Sequence, residues 1–306
     1  MDAKITKQRL GNLLSYDWLK ILAAVVAAVA VLTLLFTMIG TRPTEAQTFS
    51  VYCYNGLNAG KDYSSLESSL ENRKVFSYEI LSIGAEDFTD SKYANSLYTT
   101  RRSAGEGTVM FVADTPKNKE DGSLDESSTP LTRMSTGFAY NGSNERSGFY
   151  DTVYYMNDCK SYLEAFFGKD FTAESPLDKA KAKEHFLARN GKDKRFRSAE
   201  KKQAGIAQEE ERLIQLKGDY LAVRKAFEEG KFSHISYTTS QGTYNFGISV
   251  SALPSIQNLV FTRSEDGAAT GENAALMIFY NDRGKGNDLR FETVSFLRYL
   301  TEKYGE

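Results

Sequence analysis

The stretch EGTVMFVAD, residues 106–114, decides the fold. Its centre, TVMFVA (108–113), is an unbroken apolar run between Gly107 and Asp114. It lacks the apolar-polar alternation of a half-exposed strand, so it predicts a strand covered on both faces, as in a parallel sheet. Upstream, FSVYCY (49–54) has the same character. Between the two, Tyr63–Arg73 predicts a helix with Leu66 and Leu70 one turn apart. FSYEILSI (76–83) predicts a second strand, and Phe88–Arg102 a helix turning Phe88, Leu97 and Tyr98 inward. The order β-α-β-α-β with short connections predicts an α/β fold, a parallel sheet with right-handed crossovers.

Downstream, residues 115–147 are polar and read as loop, and FYDTVYYMNDCKSYLEAFF (149–167) as a helix from about Thr152. Residues 176–230 read as an inserted helical hairpin, separate from the α/β core. Pro176 marks its start, Gly191 turns it, and Ile206, Leu213, Leu216, Tyr220, Val223 and Phe227 form a heptad-like seam on the second arm. Its tip is basic, with ten Lys/Arg against four Asp/Glu over 178–202, whereas 21–306 nets −4. Glu209–Glu211 read as a solvated helix face. The last quarter returns to α/β. SHISYTT and GTYNFGISV predict a hairpin about Ser240–Gly242, LVFTR a short strand and AALMIFY (274–280) a buried one. Asn287 and Asp288 are placed to cap a final helix that buries Leu289, Thr293, Phe296, Leu297, Leu300 and Tyr304.

The run FSVYCYN, helix, YEILSIG, helix, RRSAGEGTVMFVAD resembles the first lobe of extracellular solute-binding proteins of the type II periplasmic-binding fold. The closing NDLRFETVSFLRYLTEKYG is similar to their last helix, and GISVSALPSIQNLVF to a hinge or second-lobe strand. The likeness covers about 49–114 and 243–304. It implies a periplasmic-binding-like domain over 49–306, with ligand between two lobes. Such members are larger and often lipoproteins, so the hairpin and the N-terminus depart from the pattern.

That N-terminus begins with residues 1–17, a predicted cytoplasmic tail, followed by an apolar segment at 18–40 and a linker at 41–48. Ile21–Ile39 holds 19 residues without a charge, near the roughly 20 that cross about 30 Å of hydrocarbon. Residues 1–20 net +2, and Arg42 is the one cation in the twenty residues after the run. This predicts a single-pass anchor in the cell membrane with its N-terminus cytoplasmic and the remainder extracellular. A cleaved signal peptide has a shorter apolar core and a small-residue cleavage site, which GTRPTEAQ does not supply.

The 306 residues include 25% charged and 41% apolar ones, which excludes disorder and a polytopic membrane protein. Two cysteines, Cys53 and Cys159, and two histidines, His185 and His234, leave little for disulfide, zinc or triad chemistry. Both cysteines lie in apolar elements and read as buried thiols, although a bridge is allowed outside the cell. G-x-S-x-G, H-E-x-x-H, C-x-x-C and the phosphate-binding loop are all missing. No enzyme activity, cofactor or metal is expected.

In an α/β sheet a ligand meets the carboxyl ends of the strands. That nominates Tyr54 and Asn55 after the first strand and Asp114 after the third, with Tyr140, Asn141 and Tyr244 from the second lobe. Rings for stacking and directional polar groups suit a small solute such as a sugar. Expected partners are the lipid bilayer through the N-terminal helix and a membrane protein or wall polymer through the hairpin, but no nucleic acid. Two functions stay open. One is ligand capture or sensing by a solute-binding-like domain, or service as an accessory of a membrane complex. The other is non-catalytic envelope interaction or assembly with a degenerate cleft.

Overall fold

The computed structural model describes residues 11, 18–39, 43–89, 92–118, 124–125, 128–144, 148–264, 266–282 and 284–306. Two compact units result, Met1–Pro43 and Thr44–Glu306. Most of the tail over 1–17 lies outside the described residues.

In the first unit, α1 spans Trp18–Ile39. Its apolar side chains, from Trp18 to Leu32, are exposed, and the Thr33 hydroxyl donates back to the Val29 carbonyl at 2.8 Å. Side chains are described for residues 18–33 of this helix. Among the described residues no helix is long and apolar enough to cross a membrane.

The second unit is built on one six-stranded sheet. In chain order its elements are β1 (Thr48–Cys53), β2 (Asn58–Ala59), α2 (Leu66–Asn72), β3 (Ser82–Asp87), α3 (Ala94–Ser103), β4 (Val109–Ala113), β5 (Lys117–Asn118), β6 (Leu124–Asp125), α4 (Pro130–Met134), α5 (Thr152–Phe167), α6 (Lys179–Asn190) and α7 (Ala199–Glu228). There follow β7 (Ser233–Thr239), β8 (Gly242–Ser249), β9 (Val260–Arg263), β10 (Ala269–Thr270), β11 (Ala274–Ile278) and α8 (Thr293–Tyr304). The main sheet runs β3-β1-β4-β11-β8-β7.

The sheet is mixed, which corrects the all-parallel expectation. β1 pairs in parallel with β3 and β4, whereas β11, β8 and β7 are joined by antiparallel pairs. The physical reason is the β7–β8 hairpin, whose two-residue turn forces antiparallel neighbours. LVFTR also leaves the main sheet: as β9 it pairs with β2 and β10 in a small sheet of its own.

β4 is covered on both faces, as its apolar run requires. Val109, Phe111 and Ala113 join one core with α5, α7 and α8, while Met110 and Val112 join a second with Leu131, Phe149 and Phe246. Gly56 closes the turn after β1 at φ +92°. A Cβ there would lie 2.8 Å from that of Ala113, so the chain end packs directly on β4.

Three other boundaries differ from the sequence reading. The second strand is Ser82–Asp87 and not 76–83. Residues 77–80 form a turn, with the Ile80 amide donating to Ser77, because the Glu79 side chain is held by the helical hairpin. Helix α3 starts at Ala94, and its Leu97 is exposed. Asn287 and Asp288 lie inside a 3-10 segment, Gly284–Glu292, that precedes α8 and does not cap it by side chain.

The helical hairpin is real, with Asp178 capping α6 and Ser198 capping α7. It is not separate from the core. Leu213, Leu216, Tyr220 and Val223 are buried together with α8 and the sheet. Nearer the tip, Phe186, Phe196 and Ile206 form a small cluster. Gly205 lets the arms approach, since a Cβ there would lie 2.4 Å from the Phe186 ring.

Candidate functional site

The nominated residues divide between the two faces of the sheet. Tyr54 packs on the core of Met110 and Val112, stacked on Tyr98 at 5.2 Å, and Tyr244 packs on that same core. Asp114 follows β4, and the Tyr237 hydroxyl donates to it, lying 3.0 and 3.2 Å from its two oxygens. Burial raises the Asp114 carboxyl above its ordinary range, although bonds from Thr129 and Tyr237 oppose the rise. Tyr237 and Tyr244 are cross-strand partners in the β7–β8 hairpin, and the Tyr244 hydroxyl donates to the Gln241 carbonyl at 3.1 Å. Asn55 sits at φ +54°, its carbonyl accepting from the Ala113 amide.

Tyr140 belongs to the opposite core and stacks on Tyr280 at 3.9 Å, with Tyr150 and Tyr154 edge-on. The Asn141 side chain accepts from the Ser143 hydroxyl at 2.6 Å, in its own turn. The six residues therefore fall at separate places, with Tyr54 and Tyr244 on one core, Tyr140 on the other and Asn141 in an exposed turn.

A second group lies at the amino end of the parallel strands. There α6 and α7 place His185, Arg189, Glu209 and Arg212 against Glu79 and the 3-10 segment carrying Asp288 and Glu292. Arg212, 1% exposed, binds Glu209 at 3.1 Å, Asp288 at 3.2 Å and Glu292 at 2.8 Å. Arg189 binds Glu209 at 2.6 Å, Glu79 at 3.2 Å and also Asp288. Arg195 and Asn190 complete the shell of Glu79, at 2.8 and 2.7 Å. His185 Nδ1 stands 3.0 Å from Glu209, and the Tyr78 hydroxyl donates to Glu209 at 3.0 Å.

Glu209 is thus fully buried, which overturns its reading as part of a solvated face. Burial alone would raise its carboxyl. Arg212, the His185 hydrogen bond and Arg189 outweigh burial and hold it at about 2. Charges this deep persist only when paired, since removing them from water costs several kcal/mol each.

His185, Glu209 and Asp288 bring one ligand atom each to within 4.8 Å of the others, a spacing that would suit a divalent cation. The side chains present do not fit one. Both carboxylates already face Arg189 and Arg212, and an added dication would share a buried site with two fixed guanidiniums. The group works as an electrostatic clasp between hairpin and sheet.

Beside the clasp opens a cavity of about 670 Å³, lined among others by Thr44, Gln47, Glu79, Arg189, Asn190 and Asp193. Cys53 and Cys159 are both buried and unbridged, and burial pushes both thiols up, away from reactivity. The heptad seam carried a sign of the clasp. Its first step, Ile206 to Leu213, skips the position three residues on, and that position is Glu209. An acid on an otherwise apolar seam has to find a buried partner. No family model, curated protein or solved structure matches the chain.

Proposed function

We propose that the protein is a membrane-anchored, non-catalytic domain of the cell envelope. It acts by contact with a partner, as an accessory or assembly component, and not by chemistry on a substrate. One observation carries this reading. Asp114, the acid nominated at the carboxyl end of the third predicted strand, has the Tyr237 hydroxyl within 3.2 Å of both oxygens, and Tyr54, nominated after the first, is stacked on Tyr98. Side chains consumed by the fold are not held ready for a solute. The buried clasp points the same way, because its carboxylates are paired with guanidiniums and leave no free acid-base pair. The anchor rests on the uncharged run Ile21–Ile39 and its cationic leader.

Protease treatment of intact cells tests the topology. Cleavage after residue 45 with the N-terminus retained supports the reading, and protection of the large domain sinks it. Turnover of ester, glycoside or phosphate substrates, abolished by a single Asp or Glu substitution, would overturn the non-catalytic part.

A second reading, capture of a small polar solute within a periplasmic-binding-like domain, is favoured by the 670 Å³ cavity and the polar side chains of Gln47, Asn190 and Asp193 on its walls. Saturable binding of a sugar, lost on Asn190→Ala but retained in Asp114→Asn, would select it.

A further inference from the structure

The hairpin tip and the start of the second unit lie together. Thr44 and Gln47, just before β1, line the same cavity as Asn190 and Asp193 of the tip. Gln47 and Arg195 both donate to Glu79, at 3.5 and 2.8 Å. Among its other walls, Ala104 and Gly105 precede the amino end of β4, and Asn281 follows the carboxyl end of the antiparallel β11, which is the same end of the sheet. The tip therefore occupies the end of the second unit at which its chain begins, at Thr44. Four residues separate Ile39 from Thr44, a reach of under ~20 Å when fully extended.

The tip is also a one-sign surface. Lys183, Lys192, Lys194, Arg197, Lys201 and Lys202 are all exposed, and none has an ion pair among the described residues. Across 183–202 the exposed acids are Glu184 and Glu200. Arg189 and Arg195, by contrast, are used internally by Glu79 and its neighbours. The structure thus divides the basic run into two cations that build the clasp and six that face water.

Resting on the anchored reading above, we infer that these six cations dock the hairpin tip on anionic lipid headgroups of the same membrane that holds the chain. Cations beside a negatively charged bilayer are attracted additively, and the attraction decays within a Debye length. A short tether raises the effective concentration of the tip at that surface, so modest attraction suffices. Docking would hold the amino end of the sheet toward the bilayer and turn the β2–β9–β10 end outward, where a partner could reach it.

The test uses the full chain reconstituted into vesicles, either phosphatidylcholine alone or a mixture with phosphatidylglycerol. An environment-sensitive fluorophore is attached at Ala199→Cys on the tip, or at Ala268→Cys beside the small sheet, with a quencher on the lipid headgroups. Cys53 and Cys159 are buried and do not compete for label. Docking predicts strong quenching at position 199 in phosphatidylglycerol vesicles, most of it lost at high salt or in phosphatidylcholine, and little at position 268. Changing Lys192, Lys194, Arg197, Lys201 and Lys202 to Gln should abolish the quenching without changing the unfolding midpoint. The salt titration of the unsubstituted tip keeps the test decisive should that variant misfold. If the chain fails to co-float with vesicles of either kind, the anchor itself is wrong and the docking falls with it. If it co-floats but position 199 is not quenched, or is quenched equally in neutral lipid, the anchor stands and the docking is overturned.

Discussion

The two ends of the central sheet carry their polar groups differently. At the carboxyl end, Asp114 meets a neutral hydroxyl, and the aromatic rings around it belong to an apolar core. At the amino end, Arg189, Arg195 and Arg212 meet Glu79, Glu209, Asp288 and Glu292 in a buried network between hairpin and sheet. The first end can lose a member and keep its packing. The second cannot, because each partner removed leaves a buried charge uncompensated. Position at a strand's carboxyl end is therefore no guide here to where the electrostatic work is done.

The comparison makes graded expectations. Arg212→Met should have the largest effect, costing about 3–5 kcal/mol in denaturant unfolding, because Glu209, Asp288 and Glu292 would lose their shared cation. A loss below ~1 kcal/mol would show that the clasp is not a structural bond. Glu209 adds a dependence on pH. Its carboxyl is held at about 2, below the ordinary value of 4.5. The stabilisation it contributes is thus complete above the unfolded value and disappears as pH falls through about 2. Acid titration of stability should show a loss between these limits that Glu209→Gln reduces; identical acid curves would refute the assignment.

Leu216→Ala should come next, at about 2–4 kcal/mol, since Leu216 is 1% exposed within the main core. An unchanged stability would mean that the hairpin is only lightly attached, restoring the picture of a separate insert. Tyr237→Phe removes the hydroxyl facing Asp114 and should cost only about 1 kcal/mol. A cost matching that of Arg212→Met would erase the contrast between the two ends. The smallest effect belongs to Lys194→Gln, whose side chain is exposed and without an ion pair among the described residues. Its thermal midpoint should not move, whereas Arg195→Gln, adjacent in sequence, should lower the midpoint measurably, because Arg195 holds Glu79 at 2.8 Å. Equal midpoints for both variants would dissolve the division of the basic tip.

Much of the framework was legible in the residues themselves. VMFVA is buried on both faces because it has no polar side chain to turn to water. The hairpin at 233–249, the turn at Gly191 and the inward face of α8 follow from local turn chemistry and from period. Other features needed partners from afar. FSYEI has the composition of a strand, yet Arg189, Arg195 and Asn190, more than a hundred residues on, hold Glu79 in a turn and move the strand to Ser82–Asp87. Tyr54, Asn55 and Asp114 do follow β1 and β4, but sequence spacing does not say which face of the sheet a later tyrosine will join. Tyr140 joins the face opposite Tyr54.

The sequence by itself determined the α/β class, the helical hairpin and the apolar segment, because each depends on period, composition and nearest neighbours. Tertiary structure alone decided that the sheet is mixed, that Glu209 is buried, and that two of the tip's arginines are structural while its lysines face water. The last two outcomes depend on which charges meet across 80 to 130 residues of chain. Coulomb attraction in a dry interior is strong enough to override local preference, and it leaves little mark on the order of residues.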